Sequence, residues 1–296
     1  MRRYAPRTSV VLGLALGLAL GLVASGPSPE AHAEAKAAAR GKLAAAAPAL
    51  MPPAQAHSLL LRLARPDPVE VKAALDAAAT AGPAAAPVAT AIEALLRKGA
   101  PGDVARAAID ALAAIGAASS SVVLRPYLRH RSPELRRAAA QALAVTGGPE
   151  AIAGYEEAIR GPDADLRGEA ARGLGRLGAL TALPDLFLAL EHNVNEAAPA
   201  IGKLCSDEAC ARLAERLSHA TPDALASGLD PVFFRVPALP DEVLVAVITA
   251  LDASGAPDAL RYLGDVRGRF PAGASRRVQQ ALAEARPAPA SAPESP

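Results

Sequence analysis

Between Ser132 and Gly147 the chain sets apolar residues at helical spacing among charges, SPELRRAAAQALAVTG, and it does so again between Asp163 and Gly178, DADLRGEAARGLGRLG. At this offset of 31 residues Leu135 falls on Leu166, Arg136 on Arg167, Leu143 on Leu174 and Gly147 on Gly178. Apolar positions three and four apart predict an amphipathic helix, and a fixed period of this size predicts a stacked array of such helices. One period earlier, Gly116 lies under Gly147, Leu112 under Leu143, and Ala107 and Ala108 under Ala138 and Ala139, so Asp103 to Gly116 is an earlier first helix. A shorter step of 27 carries Leu174 to Ile201 and Ala170 and Ala171 to Ala197 and Ala198. Weaker copies lie over Val69 to Gly82 and over Asp241 to Gly255, where Leu251 takes the place of Leu174. Each first helix is followed by a second with its own stripe, Ile152, Tyr155 and Ile159 in one unit and Leu183, Leu186 and Leu190 in the next. Each unit is thus expected to be a helix hairpin.

The boundaries have a mechanism. Ser132 followed by Pro133, and Asp163 at the equivalent place, can accept hydrogen bonds from the free amides of a first turn. Asn193 with Glu196 three residues on predicts a capping box. Gly116, Gly147, Gly178 and Gly255 sit where a left-handed residue would close the first helix, and the alanine pairs predict close approach between neighbouring helices.

The motif L-R-x-x-A-A-x-A/G-L-x-x-x-G, present as Leu135 to Gly147 and Leu166 to Gly178, resembles the HEAT-like repeats, in particular the short bacterial version also found in phycobilin lyase subunits. The resemblance extends over most of residues 67 to 285 and weakens outward. It implies an all-α, right-handed α-α superhelix of about six helix pairs, closed by a terminal helix over Ser275 to Ala285. It implies a ladder of charges between neighbouring repeats as well, in which Arg136, Arg167, Glu134 and Asp165 recur at fixed registers. The family pattern consists of packing and capping residues, so lyase activity does not carry over, and nothing here matches a chromophore site.

Composition then narrows the functional classes. Aromatic residues make up 3% of the chain and tryptophan is absent, which suits thin, closely packed helices rather than a conventional globule. With 31 Lys+Arg against 30 Asp+Glu and no long run of one sign, nothing attracts a polyphosphate chain, so no nucleic-acid partner is expected. The N-terminus carries Arg2, Arg3 and Arg7, then an apolar stretch from Val10 to Ala24, then the small-x-small triplet Ala31-His32-Ala33. That is the pattern of an export signal spanning residues 1–33 and cleaved after Ala33. Cleavage after Ser25, or retention as a membrane anchor, are the alternatives. Residues 34–53 form an alanine- and proline-rich segment with no apolar face, expected to be a disordered spacer. Residues 54–286 are the repeat domain, and the proline-rich 287–296 is expected to be disordered too.

Candidate chemistry reduces to two departures from the repeat. Cys205 and Cys210, the only cysteines, straddle a hairpin turn, and in an exported chain an even count at short range predicts a disulfide. Their spacing is not that of a redox C-x-x-C or a metal ribbon. Residues 219–240 read HATPDALASGLDPVFFRVPALP, an irregular insertion dense in proline and apolar residues. There Val232, Phe233 and Phe234 either fold back to fill a gap between the fifth and sixth repeats, or Phe233, Phe234 and Arg235 form a partner-binding hot spot of the residue types such sites favour. His130, His192 and His219 fall beside helix ends without metal-ligand spacing. Ser119, Ser120 and Ser121 are turn material, and the acids Asp163 and Asp165 belong to a cap and a first turn. No catalytic set, metal site or cofactor site is expected. The sequence therefore predicts a non-catalytic protein-interaction scaffold of the periplasm or cell envelope, the alternatives being an enzyme or cofactor-handling accessory subunit and an anchored structural envelope protein.

Overall fold

The computed structural model describes residues 49–288 apart from Ala272 and Ala274. The expected export signal, the spacer up to residue 48 and the tail from residue 289 lie outside the described residues. Among the described residues the chain is helical and contains no strand. The helices are α1 (Pro53–Leu63), α2 (Pro68–Ala81), α3 (Ala89–Lys98), α4 (Gly102–Ile115), α5 (Ser121–Leu124), α6 (Pro133–Thr146), α7 (Gly148–Ile159) and α8 (Ala164–Leu177). They continue with α9 (Leu183–Glu191), α10 (Ala197–Leu204), α11 (Asp207–Leu217), α12 (Pro222–Phe233), α13 (Asp241–Ser254), α14 (Pro257–Arg269) and α15 (Arg276–Glu284). A 3₁₀ turn, Arg125–Arg129, prolongs α5, and another, Gly82–Val88, joins α2 to α3.

These helices form two layers of a solenoid. The even-numbered helices α2 to α14 stack one on the next in a first layer, and the odd-numbered helices form the second. Packing in the first layer is set by small side chains. Ala108, Ala139, Ala170 and Ala197, at one register of successive first helices, are all fully buried. The closest approach is between α10 and α12, where a Cβ on Gly202 would lie 2.0 Å from the carbonyl oxygen of Gly228.

The capping logic holds at most boundaries. The side chains of Asp67, Ser132, Asp163 and Thr221 accept from the amides of Val69, Leu135, Leu166 and Ala224. Gly116, Gly178 and Gly255 are left-handed C-caps. Gly147 has a positive φ of 66° but ψ of −155°, outside the left-handed helical region. The capping box at Asn193 and Glu196 does not form. Asn193 is itself left-handed at φ 62°, and Glu196, with no cap hydrogen bond to the helix it precedes, turns to Arg172 at 3.1 Å.

Four further expectations change. The 219–240 segment is not an irregular insertion: Pro222–Phe233 is a regular first-layer helix stacked on α10 and α14. Thr221-Pro222-Asp223 repeats the cap, proline and acid of Ser132-Pro133-Glu134, and Gly228 occupies the small-residue place of Ala139. Outside this helix the segment has the short connection 219–221 and residues 234–240, the latter with a cis Val236–Pro237 bond. It follows that Asp241–Ser254 lies in the second layer, against α11 and α15, and not among the first helices. A C-cap glycine closes a helix in either layer, so Gly255 could not reveal which. Among the described residues the array accordingly has seven hairpins after α1, with Arg276–Glu284 as the second helix of the last. Finally, Met51, inside the expected spacer, is buried, and its amide donates to the carbonyl of Ala84 at 3.0 Å.

Candidate interaction site

Most polar side chains of the repeat are spent on holding it together. Arg136 reaches back to the carbonyl of His130 at 2.9 Å and forward to Asp163 of the next hairpin at 2.6 Å. Arg167 makes the same backward bond, to the carbonyl of Gly161 at 3.0 Å, but the next first helix begins without a capping side chain, and its buried Nε has no hydrogen-bond partner. The expected ladder is present: Glu134 pairs with Arg106 of the preceding hairpin at 3.3 Å and Asp165 with Arg137 at 3.2 Å. The Asp163 carboxyl, accepting from the Leu166 amide and paired with Arg136, is held below the ordinary carboxylate range. Ser120 donates to Glu93 at 2.9 Å and Ser121 to the carbonyl of Gly147 at 2.7 Å, both buried. Tyr155 spends its hydroxyl on the Ala140 carbonyl, and burial pushes that phenol up. Among the described residues no group of three or more His, Cys, Asp or Glu is placed to hold a metal ion.

The predicted site residues meet at one junction. Cys205, just past the end of α10, and Cys210, in the first turns of α11, are joined in a disulfide with Cα atoms 5.2 Å apart, and both are fully buried. Arg235 comes from the 234–240 segment and donates to the carbonyls of Lys203 and Cys205 at 3.1 and 2.6 Å. A guanidinium at the carbonyl end of α10 satisfies groups the helix leaves open and meets the negative end of its dipole. Phe233 is 4% exposed and packs on Tyr262, with ring centroids 6.2 Å apart. Half-buried Phe234 lies beside Phe270, with the guanidinium of Arg269 at 4.5 Å from its ring. The hot-spot expectation for Phe233, Phe234 and Arg235 is thus corrected. A buried ring offers no surface to a partner, and the arginine is committed to backbone carbonyls, so this trio packs α12 and pins the end of α10.

Open surface lies elsewhere. In the second layer α9 and α11 barely touch, whereas α11 and α13 pack closely. The gap is a groove of about 350 Å³ lined by Leu183, Pro184, Phe187, Leu188, Ala209 and Arg212 among others. Arg212 bridges it with its guanidinium 4.2 Å from the Phe187 ring centre, and Leu188 is 49% exposed beside it. The sequence carried a signal for this: LPDLFLALE is apolar around most of the α9 circumference. A helix apolar on more than one face has more than one neighbour to meet.

The family comparison agrees with this architecture. The family model described as HEAT repeats matches residues 88–158, and no curated protein matches the chain. Among solved structures, a crystal structure of an engineered protein from the Northeast Structural Genomics Consortium is 19% identical, with 78% of this chain and 77% of that one covered at a TM-score of 0.44. A second engineered protein from the same consortium is 22% identical, covering 73% of this chain and 98% of its own at a TM-score of 0.38. Among the described residues the chain is an α-helical repeat protein, similar over residues 88–158 to the HEAT repeats.

Proposed function

We propose that this protein is a non-catalytic scaffold that binds other proteins after export to the periplasm or cell envelope. The observation that carries the reading is the division of labour in the array. Ser120, Ser121, Tyr155 and arginines such as Arg136 and Arg137 are committed to contacts within and between repeats, while an apolar groove is left between α9 and α11 with Leu188 at its open edge. A recess with the apolar side chains of Leu183 and Leu188 at its surface and the charges of Arg212 and Glu191 at its rim has the composition of a protein-binding surface. Export is supported by the basic, apolar, small-residue order of residues 1–33 and by a disulfide, which persists in an oxidising compartment.

The test is affinity capture from the envelope fraction by the wild-type chain and by Leu188→Glu, with the N-terminus of the purified protein sequenced in parallel. Leu188 is half exposed, so the variant keeps its melting temperature while losing partners held in the groove. Identical capture by both proteins removes the groove from the reading, and recovery of the chain only in the cytoplasm with residues 1–33 intact removes the export.

A further inference from the structure

The α5 arm is irregular. Pro126 stands in the 3₁₀ turn Arg125–Arg129 that prolongs α5, so the second arm of this repeat ends as a 3₁₀ turn laid against α7 rather than as α-helix. Behind it the two segments close tightly, since a Cβ on Gly154 would meet Leu128 Cδ1 at 2.9 Å. In front remains a cleft of about 570 Å³, within the range of sites that enclose a ligand. Its floor is apolar, from Leu128, Ala158 and Leu166.

The charges around it are uneven. Arg136 and Asp163 neutralise one another in the wall at 2.6 Å. The carbonyls of His130 and Arg131, which would repel an anion, are already covered by Arg136 at 2.9 and 3.2 Å. Glu157 is shared between Arg125 and Arg129, the latter at 2.7 Å. Arg131 at the mouth is exposed and makes no ion pair among the described residues. One positive charge is therefore left over beside an apolar floor, with two carboxylates, Glu157 and Asp163, fixed in the walls. That arrangement accepts a single negative charge and disfavours a polyanion, because each additional charge would face those carboxylates.

We propose that this cleft binds an extended segment of a partner protein in which one carboxylate side chain lies next to an apolar one, the carboxylate meeting Arg131 and the apolar group filling the floor over Leu128, Ala158 and Leu166. Arg129 joins as a second donor: its side chain is 76% exposed, and an exposed ion pair such as that with Glu157 holds it only weakly. The inference rests on the protein-scaffold reading, but it places recognition away from the α9–α11 groove, so the two stand or fall separately.

The probes are three dye-labelled synthetic heptapeptides differing only at the centre of a leucine-flanked sequence: glutamate, its uncharged isostere glutamine, and lysine. Binding to the full purified chain is followed by fluorescence anisotropy. The glutamate peptide is expected to bind about tenfold tighter than the glutamine peptide, and the preference should fade when salt shortens the screening length from about 10 Å to about 3 Å. Arg131→Glu should abolish the preference, Arg131→Lys should keep most of it, and Leu188→Glu should leave it unchanged. Melting curves will show that the exposed Arg131 variants remain folded. Equal binding of the three peptides, no binding, or an undiminished preference in Arg131→Glu overturns the proposal. So does inorganic phosphate displacing the glutamate peptide more effectively than acetate. Partner capture that depends on Leu188 while no peptide binds here would sink this site and leave the scaffold reading standing.

Discussion

Replacing Gly202 by alanine should destabilise the array, although alanine is the better helix former. The substitution in an unconstrained helix interior gains about 1 kcal/mol from propensity. Here the new methyl would sit 2.0 Å from the Gly228 carbonyl oxygen and 3.2 Å from its carbon. Ordinary contact lies above about 3.4 Å, so α10 and α12 must separate by more than an ångström, and the obstacle is backbone that cannot rotate aside. Overpacking of this kind costs about 1 to 3 kcal/mol, and separation also strips contact from Leu225 and Leu229, both fully buried on α12. Net destabilisation of up to about 2 kcal/mol follows after the propensity gain is deducted. Gly264, inside α14 with nothing within 4 Å of its Cβ position, is the matched control: alanine there should stabilise by up to about 1 kcal/mol. Urea unfolding of the two variants beside the wild type measures both signs. Because each repeat contacts only its neighbours, weakening one interface also invites separate unfolding of the segments on either side. A Gly202→Ala protein as stable as Gly264→Ala would show that the first layer does not pass through this contact.

Two other perturbations probe different parts of the same stack. Replacing both Cys205 and Cys210 by alanine removes a cross-link over a sequence separation of 5, which should cost about 2 kcal/mol in the chain-entropy account; equal urea midpoints for variant and wild type would contradict it. For Asp163, the Leu166 amide and the Arg136 guanidinium depress the folded pKa, so its stabilisation is present above the unfolded value of about 3.9 and is lost as the pH falls through the folded one. The stability difference between wild type and Asp163→Asn, which keeps a capping oxygen, should therefore be steady above about pH 5 and shrink below about pH 4. A difference independent of pH would mean that the Arg136 pair contributes nothing.

The parts of this fold that could be read from the chain are those where one residue type has one physical use at one register. Serine or aspartate before a helix caps it, alanine at Ala139 and Ala170 lets backbones approach, and an arginine after the helix's first leucine reaches back to the preceding connection. At the fifth and sixth repeats the same uses are filled by different residues. Cys205 stands where a glycine cap would be, and glycine replaces alanine at Gly228, so a period defined by letters lost step with one defined by packing. Thr221-Pro222-Asp223 kept the capping chemistry of Ser132-Pro133-Glu134, and aligning by chemical role would have recovered α12.

The surfaces open to a partner were hidden for a different reason. A groove arises where two helices fail to meet, and that depends on the rise and rotation between hairpins rather than on any residue in it. The α9–α11 gap coincides with the shortened step of 27 residues, and the α5–α7 cleft with a second arm that turns from α-helix to 3₁₀ at Arg125–Arg129. Phe233 is aromatic in a proline-dense segment, yet a chain with so few aromatic residues has most to gain by burying them, and Tyr155, Phe187, Phe233 and Tyr262 are all buried. Leu188 and Arg131 looked ordinary because each is a common residue on a helix or at its edge. What sets them apart is a neighbour that is missing, and in a solenoid the spacing between repeats decides which neighbours are missing.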